Sequence, residues 1–231
     1  VPLKKYSKDM LQPSTIQFLK DLKKNNHKEW FEANRKQYEA AKSDFAALVQ
    51  EVIKEHGKKD ETIATLLAKD CMFRINRDVR FSKDKSPYKT NFGASINRGG
   101  KKSTLAGYYF HLEPGTESFV GGGIWMPEPE NLKKVRQEID YQFEEFKEIV
   151  TSKKFTNVYR DLYRGEDAVL SREPKGYEKD NPAIEYIKLK SILGMQHLAD
   201  EDLTGKDLLK KITTAFEALQ PLVMFINRAL E

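Results

Sequence analysis

The chain has one cysteine, Cys71, among 231 residues, which excludes an internal disulfide and any metal site built from several thiolates. Its four histidines, His27, His56, His111 and His197, stand at no metal-ligand spacing, so no metal site is expected. No apolar run approaches the roughly 18 residues that span a membrane, and the start shows no basic segment followed by an apolar one. Repeats, low-complexity tracts and Gly/Ser linkers are missing. So are the Gly-x-x-x-x-Gly-Lys-Ser/Thr loop, the Gly-x-Gly-x-x-Gly fingerprint and the Gly-x-Ser-x-Gly elbow. Gly121-Gly122-Gly123 runs into Ile124-Trp125-Met126-Pro127 rather than a helix, so it is not a phosphate loop. These absences lead us to expect a cytoplasmic protein with no membrane partner and no cofactor, and they assign no oligomeric state.

Apolar residues make up 39% of the chain and aromatic ones 11%, enough to build a real core. The N-terminal quarter carries helical periodicity. Ser14 is a possible cap for a helix bearing Ile16, Phe18, Leu19 and Leu22, and Asn25-Asn26 interrupts it. A second helix, with Asn26 as a possible cap, is predicted from about His27 to His56, stopping at Gly57. The middle of the chain alternates as strands do, over Cys71–Ile75, Phe92–Asn97, Gly107–Glu113 and Phe119–Met126. The last two read as a hairpin around Pro114-Gly115-Thr116-Glu117. Matching Tyr108, Phe110 and Leu112 to Val120, Ile124 and Met126 sets His111 opposite Gly121 and Tyr109 opposite Gly123. Helices return from Glu128 to about Thr151 and from Gly205 onward, with a strand over Ser191–Leu198 between them and a fresh helix starting at Pro221. The expected fold is α+β: an N-terminal extension over residues 1–10, then a single domain over 11–231 with a mainly antiparallel sheet covered by N- and C-terminal helices.

Charge is unevenly spread. The net charge is +5, yet Lys69–Lys102 alone holds ten Lys/Arg against three Asp/Glu, an excess of +7; the rest holds 30 against 32, or −2. Localised basicity of this kind points to an anionic partner. Within it Arg74, Arg77, Arg80, Lys83, Lys85 and Lys89 surround a Ser86-Pro87 turn that brings the chain back with Tyr88. Arginine forks and lysine point charges suit phosphate or carboxylate. The structural alternative is that Arg77, Asp78, Arg80 and Asp84 pair with one another and pin the loop.

The strand pattern sets Arg74 on the polar sheet face with Tyr109, His111, Glu113 and Trp125, beside the side-chain-free Gly121 and Gly123. Paired strand glycines mark a close approach, either by the protein itself or by a ligand lying on that floor. Tyr88 and Tyr109 read equally as packing groups or as ligand contacts, and Trp125 is able to stack on a base. His111, with Glu113 two residues on to orient it, is a candidate acid–base pair; the plainer reading is a structural histidine.

Four segments together carry a family resemblance: Asn26-His-Lys-Glu-Trp-Phe31, the whole of Phe73–Asn91, Gly107-Tyr-Tyr-Phe-His-Leu112 and Gly121-Gly-Gly-Ile-Trp-Met-Pro127. A weaker fifth is Pro174–Pro182. On these the chain resembles the bacterial and fungal proteins grouped as domain of unknown function 2461, from about Leu11 onward. That resemblance implies one intact domain and supplies no activity, cofactor or catalytic residue. The expected function is therefore binding of a phosphate-bearing ligand, a nucleotide or nucleic acid. The alternatives are an enzyme acting on a phosphorylated or carboxylated small molecule through His111 and Glu113, and a module that docks an acidic protein on the basic loop.

Overall fold

Pro13, with its φ already helical and no N–H to lose, opens the first helix, α1 (Pro13–Lys24). The computed structural model describes residues 10–165 and 168–231; up to residue 9 the expected N-terminal extension lies outside them. Ser14 is not the cap of α1. Asp44 does the capping instead, accepting the Gln12 N–H at 2.8 Å and the Thr15 hydroxyl at 2.6 Å. The single helix predicted from His27 to His56 is two, α2 (Lys28–Ala33) and α3 (Arg35–His56). Asn34 separates them: its side chain donates to the Trp30 carbonyl at 2.8 Å, offering that carbonyl a partner outside the helical ladder. His27 caps α2, and Gly57 closes α3 as expected.

Cys71–Ile75 is not a strand. The short helix α4 (Ala68–Cys71) occupies its start, and its pairing with the segment around Ala94 is a bridge of Met72 with Ala94 and a bond from Phe73 N to Gly93 O at 3.0 Å. The chain then turns away from that partner and pairs with its own return. Asn76 bridges Tyr88, Arg77 N donates to Pro87 O at 2.9 Å, and Lys89 N donates to Ile75 O at 2.8 Å.

Four strands lie within the segments expected to be strands: β1 (Phe92–Asn97), β2 (Gly107–Leu112), β3 (Phe119–Ile124) and β4 (Ile192–His197). They form an antiparallel sheet in the order β1-β2-β3-β4, and the fold is α+β. Tyr108, Phe110, Leu112, Val120 and Ile124 are buried, as their alternation requires. Met126 lies beyond the end of β3, at φ 43° and 59% exposed, so it does not extend that face. The hairpin register differs from the expected one. His111 stacks on Phe119 at 4.8 Å, and Gly122 lies against Tyr108 Cα. Both pairings are two residues along, a shift that leaves every side chain on its expected face and therefore costs nothing in apolar matching.

The described chain groups into two compact units. One comprises the chain up to Lys101 with Tyr109–Val120 and His197–Thr214; the other comprises Lys102–Tyr108, Gly121–Gln196 and Ala215–Glu231. In the first, α1 packs on α3, and Phe45 of α3 reaches Phe92 at 5.4 Å and Phe110 at 5.6 Å between ring centroids. In the second, the predicted Glu128–Thr151 helix is again two, α5 (Pro129–Tyr141) and α6 (Phe143–Thr151), followed by α7 (Lys153–Tyr159) and α8 (Ile184–Ile187).

After the short α9 (Asp200–Leu203), α10 runs unbroken over Leu208–Leu230 with Pro221 inside it, so no new helix starts there. An interior proline costs about 3 kcal/mol. Here the burial of Phe216 and Leu219 before it, and of Leu222, Phe225 and Ile226 after it, outweighs that cost. Phe216 stacks on Tyr108 at 4.8 Å, so a C-terminal helix covers this part of the sheet as a helix from the N-terminal region covers the other. No helix among the described residues is long and apolar enough to cross a membrane.

Candidate functional site: a cation-lined cleft

The basic stretch folds into a loop that largely satisfies itself. The Arg77 guanidinium pairs with Asp84 and donates to Ser82 Oγ at 3.3 Å. Arg80 lays its fork on Asp78, with bonds of 2.9 and 2.6 Å. Lys85 Nζ donates to Val79 O at 2.9 Å, while the Ser86 N–H and hydroxyl both donate to Asp84 Oδ1. The Ser86 bonds, joined by Arg77, hold the Asp84 carboxyl far below the usual carboxylate range. The geometry thus shows the pinning role of Arg77, Asp78, Arg80 and Asp84, with Arg77 paired to Asp84 and Arg80 to Asp78 within the loop.

Arg74, Lys83 and Lys89 have no carboxylate partner among the described residues. Lys89 is half-buried, with its ammonium 5.4 Å over the Phe73 ring. Burial, and then the nearby charge of Arg74, push its pKa below the ordinary lysine value. The returning segment that carries Lys89 is held from outside the loop. Asn26 clasps the main chain of Tyr88, donating to its carbonyl at 2.9 Å and accepting its N–H at 3.1 Å. The buried Tyr88 ring stacks on Phe31 at 3.9 Å between centroids.

These anchors leave a cleft of about 360 Å³ lined by Lys23, Asn26, Arg77, Asp84, Ser86, Tyr88, Lys89, Thr90 and Asn91. Three cations converge there among neutral hydrogen-bonding groups, with one carboxylate that is already paired to Arg77. Of the site residues expected from sequence, Arg77, Tyr88 and Lys89 line this cleft.

His111 and Glu113 lie one bond behind it, and Tyr109 lies one bond further, behind His111. Thr90 Oγ1 donates to Glu113 at 2.7 Å, Lys23 reaches the same carboxylate at 3.7 Å, and Asn91 Nδ2 is 3.0 Å from His111 Nδ1. His111 Nε2 is 3.2 Å from Glu113 Oε2, so the two expected partners do meet, and Tyr109 OH is 3.1 Å from His111 Nδ1. Burial lowers the His111 pKa against the pull of Glu113, so the imidazole is neutral near pH 7. For Glu113, burial would raise the pKa; the bonds from Thr90 and His111 and the charge of Lys23 outweigh it and keep the carboxyl ionised. Burial pushes the Tyr109 hydroxyl up to about 12. From the segment expected to carry Arg74 onto this face, it is the Phe73 ring that reaches Tyr109, at 6.4 Å.

Gly121, Gly123 and Trp125 belong to the second unit. A Cβ on Gly121 would meet Gly194 O at 2.2 Å, and one on Gly123 would meet Ile192 O at 2.2 Å, so the close approach these glycines signal is made by β4. Trp125 is 63% exposed, with its ring 6.0 Å from Tyr163.

Lys23, Asn26, Ser86, Thr90 and Asn91 were not singled out as site residues. Asn26 and the stretch through Asn91 lie inside the segments that carried the family resemblance; Lys23, a surface lysine on α1, left no signal at all. Among the described residues no group of three or more His, Cys, Asp or Glu side chains is placed to hold a metal ion.

Fold and cleft together describe an α+β protein with a polar, cation-lined recess beside a half-buried His–Glu–Tyr network. A family model described as conserved hypothetical protein (DUF2461) matches residues 14–225, and the chain belongs to that family. No curated protein and no solved structure matches it.

Proposed function

We propose that the protein binds a phosphate-bearing ligand in the cleft between α1, the returning segment and the foot of the basic loop. The observation that supports this most is Lys89. It is a half-buried ammonium with no carboxylate partner among the described residues, facing a recess it shares with Lys23 and Arg77. An uncompensated, part-desolvated charge is costly, and an anion placed there offsets that cost. Thr90, Asn91, Ser86 and Asn26 supply neutral groups that orient oxygens. His111 and Glu113 act from behind by fixing Asn91, Thr90 and Lys23, so they are positioning residues in this reading. The acid–base alternative has less support, because Thr90 and Asn91 stand between the pair and the recess. A single buried cysteine fits a reducing, cytoplasmic setting.

The test is a thermal-shift panel of inorganic phosphate, pyrophosphate, nucleotides and sugar phosphates. A ligand at one hundred times its dissociation constant adds about 2.7 kcal/mol to stability. A stabilising ligand whose effect disappears in Lys23→Ala and Lys89→Ala supports the cleft. Ligands that stabilise these variants as well as the wild type would exclude it.

A further inference from the structure

Phe81 stands at the apex of the basic loop with 96% of its surface exposed. Loose loops commonly expose side chains, but this one is braced. The Arg77–Asp84 pair closes its foot, the Arg80–Asp78 fork stiffens one arm, and Lys85 ties the other arm to the Val79 carbonyl. The ring is therefore held out by a built frame, with the Arg80 guanidinium 5.8 Å from its centroid and the unpaired Lys83 two residues on. Because Arg77 and Asp84 also line the cleft, the loop projects from the rim of the recess that collects Lys23 and Lys89.

We propose that the phosphate-bearing ligand of the cleft is a single-stranded nucleic acid, one of whose unpaired bases stacks on Phe81 while its phosphates lie along Lys83 and the cleft cations; this rests on the cleft being an anion site. The chemistry favours this occupant. One flat ring with Arg80 over one side offers its other face to one base, and stacking on it demands no particular base. Cations spaced from the ring into the recess follow a backbone rather than a point charge. A duplex keeps its bases stacked and out of reach of the ring. An anionic membrane would have to take up the exposed carboxylates of Asp78 and Asp84 to admit one phenyl group, and a protein partner would find little apolar area beyond that ring.

The experiment is fluorescence anisotropy with a labelled oligothymidylate and an oligouridylate, each of about a dozen nucleotides, over a range of salt, using the full chain. Phe81→Ala removes a solvent-exposed ring and leaves the core intact. It is expected to weaken oligonucleotide binding by about tenfold or more, with the salt slope unchanged, and Phe81→Trp is expected to restore binding. Lys89→Ala is expected to weaken binding and also flatten the salt slope by about 0.7. Equal affinity in Phe81→Ala and the wild type overturns the stacking inference, while loss in Lys89→Ala alone leaves the cleft standing. Pyrophosphate binding without oligonucleotide binding likewise overturns the inference and spares the cleft. If no anion binds at all, both fail. Capture by phosphatidylserine vesicles that is lost in Phe81→Ala, with no oligonucleotide binding, assigns the ring to a membrane and overturns the inference.

Discussion

Between Arg77 and Ser86 the basic stretch is held by its own charges, whereas between Tyr88 and Asn91 it is held by the body of the molecule. In the first region Asp78 and Asp84 take up Arg80 and Arg77 at the surface. In the second, Asn26, Phe31, Glu113 and His111 fix the chain through hydrogen bonds and ring stacking. What differs is the charge left over. The arginines that dominate the sequence are mostly committed, and the lysine on the returning segment is not. A count of cations along a chain thus says less about a binding site than which of them end up beside a carboxylate.

The sharpest way to break the contrast is to release the returning segment. Phe31→Ala removes the buried ring under Tyr88 and is expected to cost about 3–5 kcal/mol of stability, read by denaturant unfolding. A loss below 1 kcal/mol would mean that the Tyr88 stack holds little. Asn26→Ala leaves the N–H and carbonyl of Tyr88 unpaired. It should cost about 1–3 kcal/mol and lower cleft affinity as well, because the lining residues after Tyr88 lose their anchor. Unchanged stability and affinity would show that the clasp is incidental.

His111 sharpens the contrast through pH. The unfolded chain takes up its histidine proton near the ordinary value of 6.5, and folded His111 does so only at lower pH. Between those values the unfolded state binds more protons, so stability falls as pH falls from 7 through that window. His111→Gln should flatten this part of the stability–pH curve, and an identical curve in the variant would contradict a half-buried neutral imidazole. The smallest effect belongs to Arg80→Ala: its exposed pair with Asp78 should leave the melting temperature and the cleft affinity where they are.

Much of the sheet was legible because alternation and burial coincide. Gly107–Leu112 and Phe119–Ile124 bury the residues their pattern names. Failures arose where a local signal met a tertiary one. Pro221 reads as a helix start, but continuous burial along α10 carries the helix through it. Cys71–Ile75 alternates like a strand, yet its start is helical and its backbone partners change from Ala94 and Gly93, at Met72 and Phe73, to Lys89, at Ile75. Asn26 reads as a helix cap, and its amide instead matches the main chain of Tyr88, 62 residues away. The site was half legible. Its basic stretch was evident, as was the possibility that the arginines pair within it. That Lys23 would join Lys89 in one recess depends on helix packing, which no local pattern encodes.

The central claim, that the available charge sits on Lys89 and not on Arg80, is tested most directly by titrating pyrophosphate into Lys89→Ala and Arg80→Ala side by side by calorimetry. A charge-assisted hydrogen bond is worth about 1.5–3 kcal/mol. Lys89→Ala should therefore lose at least about tenfold in affinity, with Arg80→Ala matching the wild type. Loss in Arg80→Ala with Lys89→Ala unaffected would contradict the account.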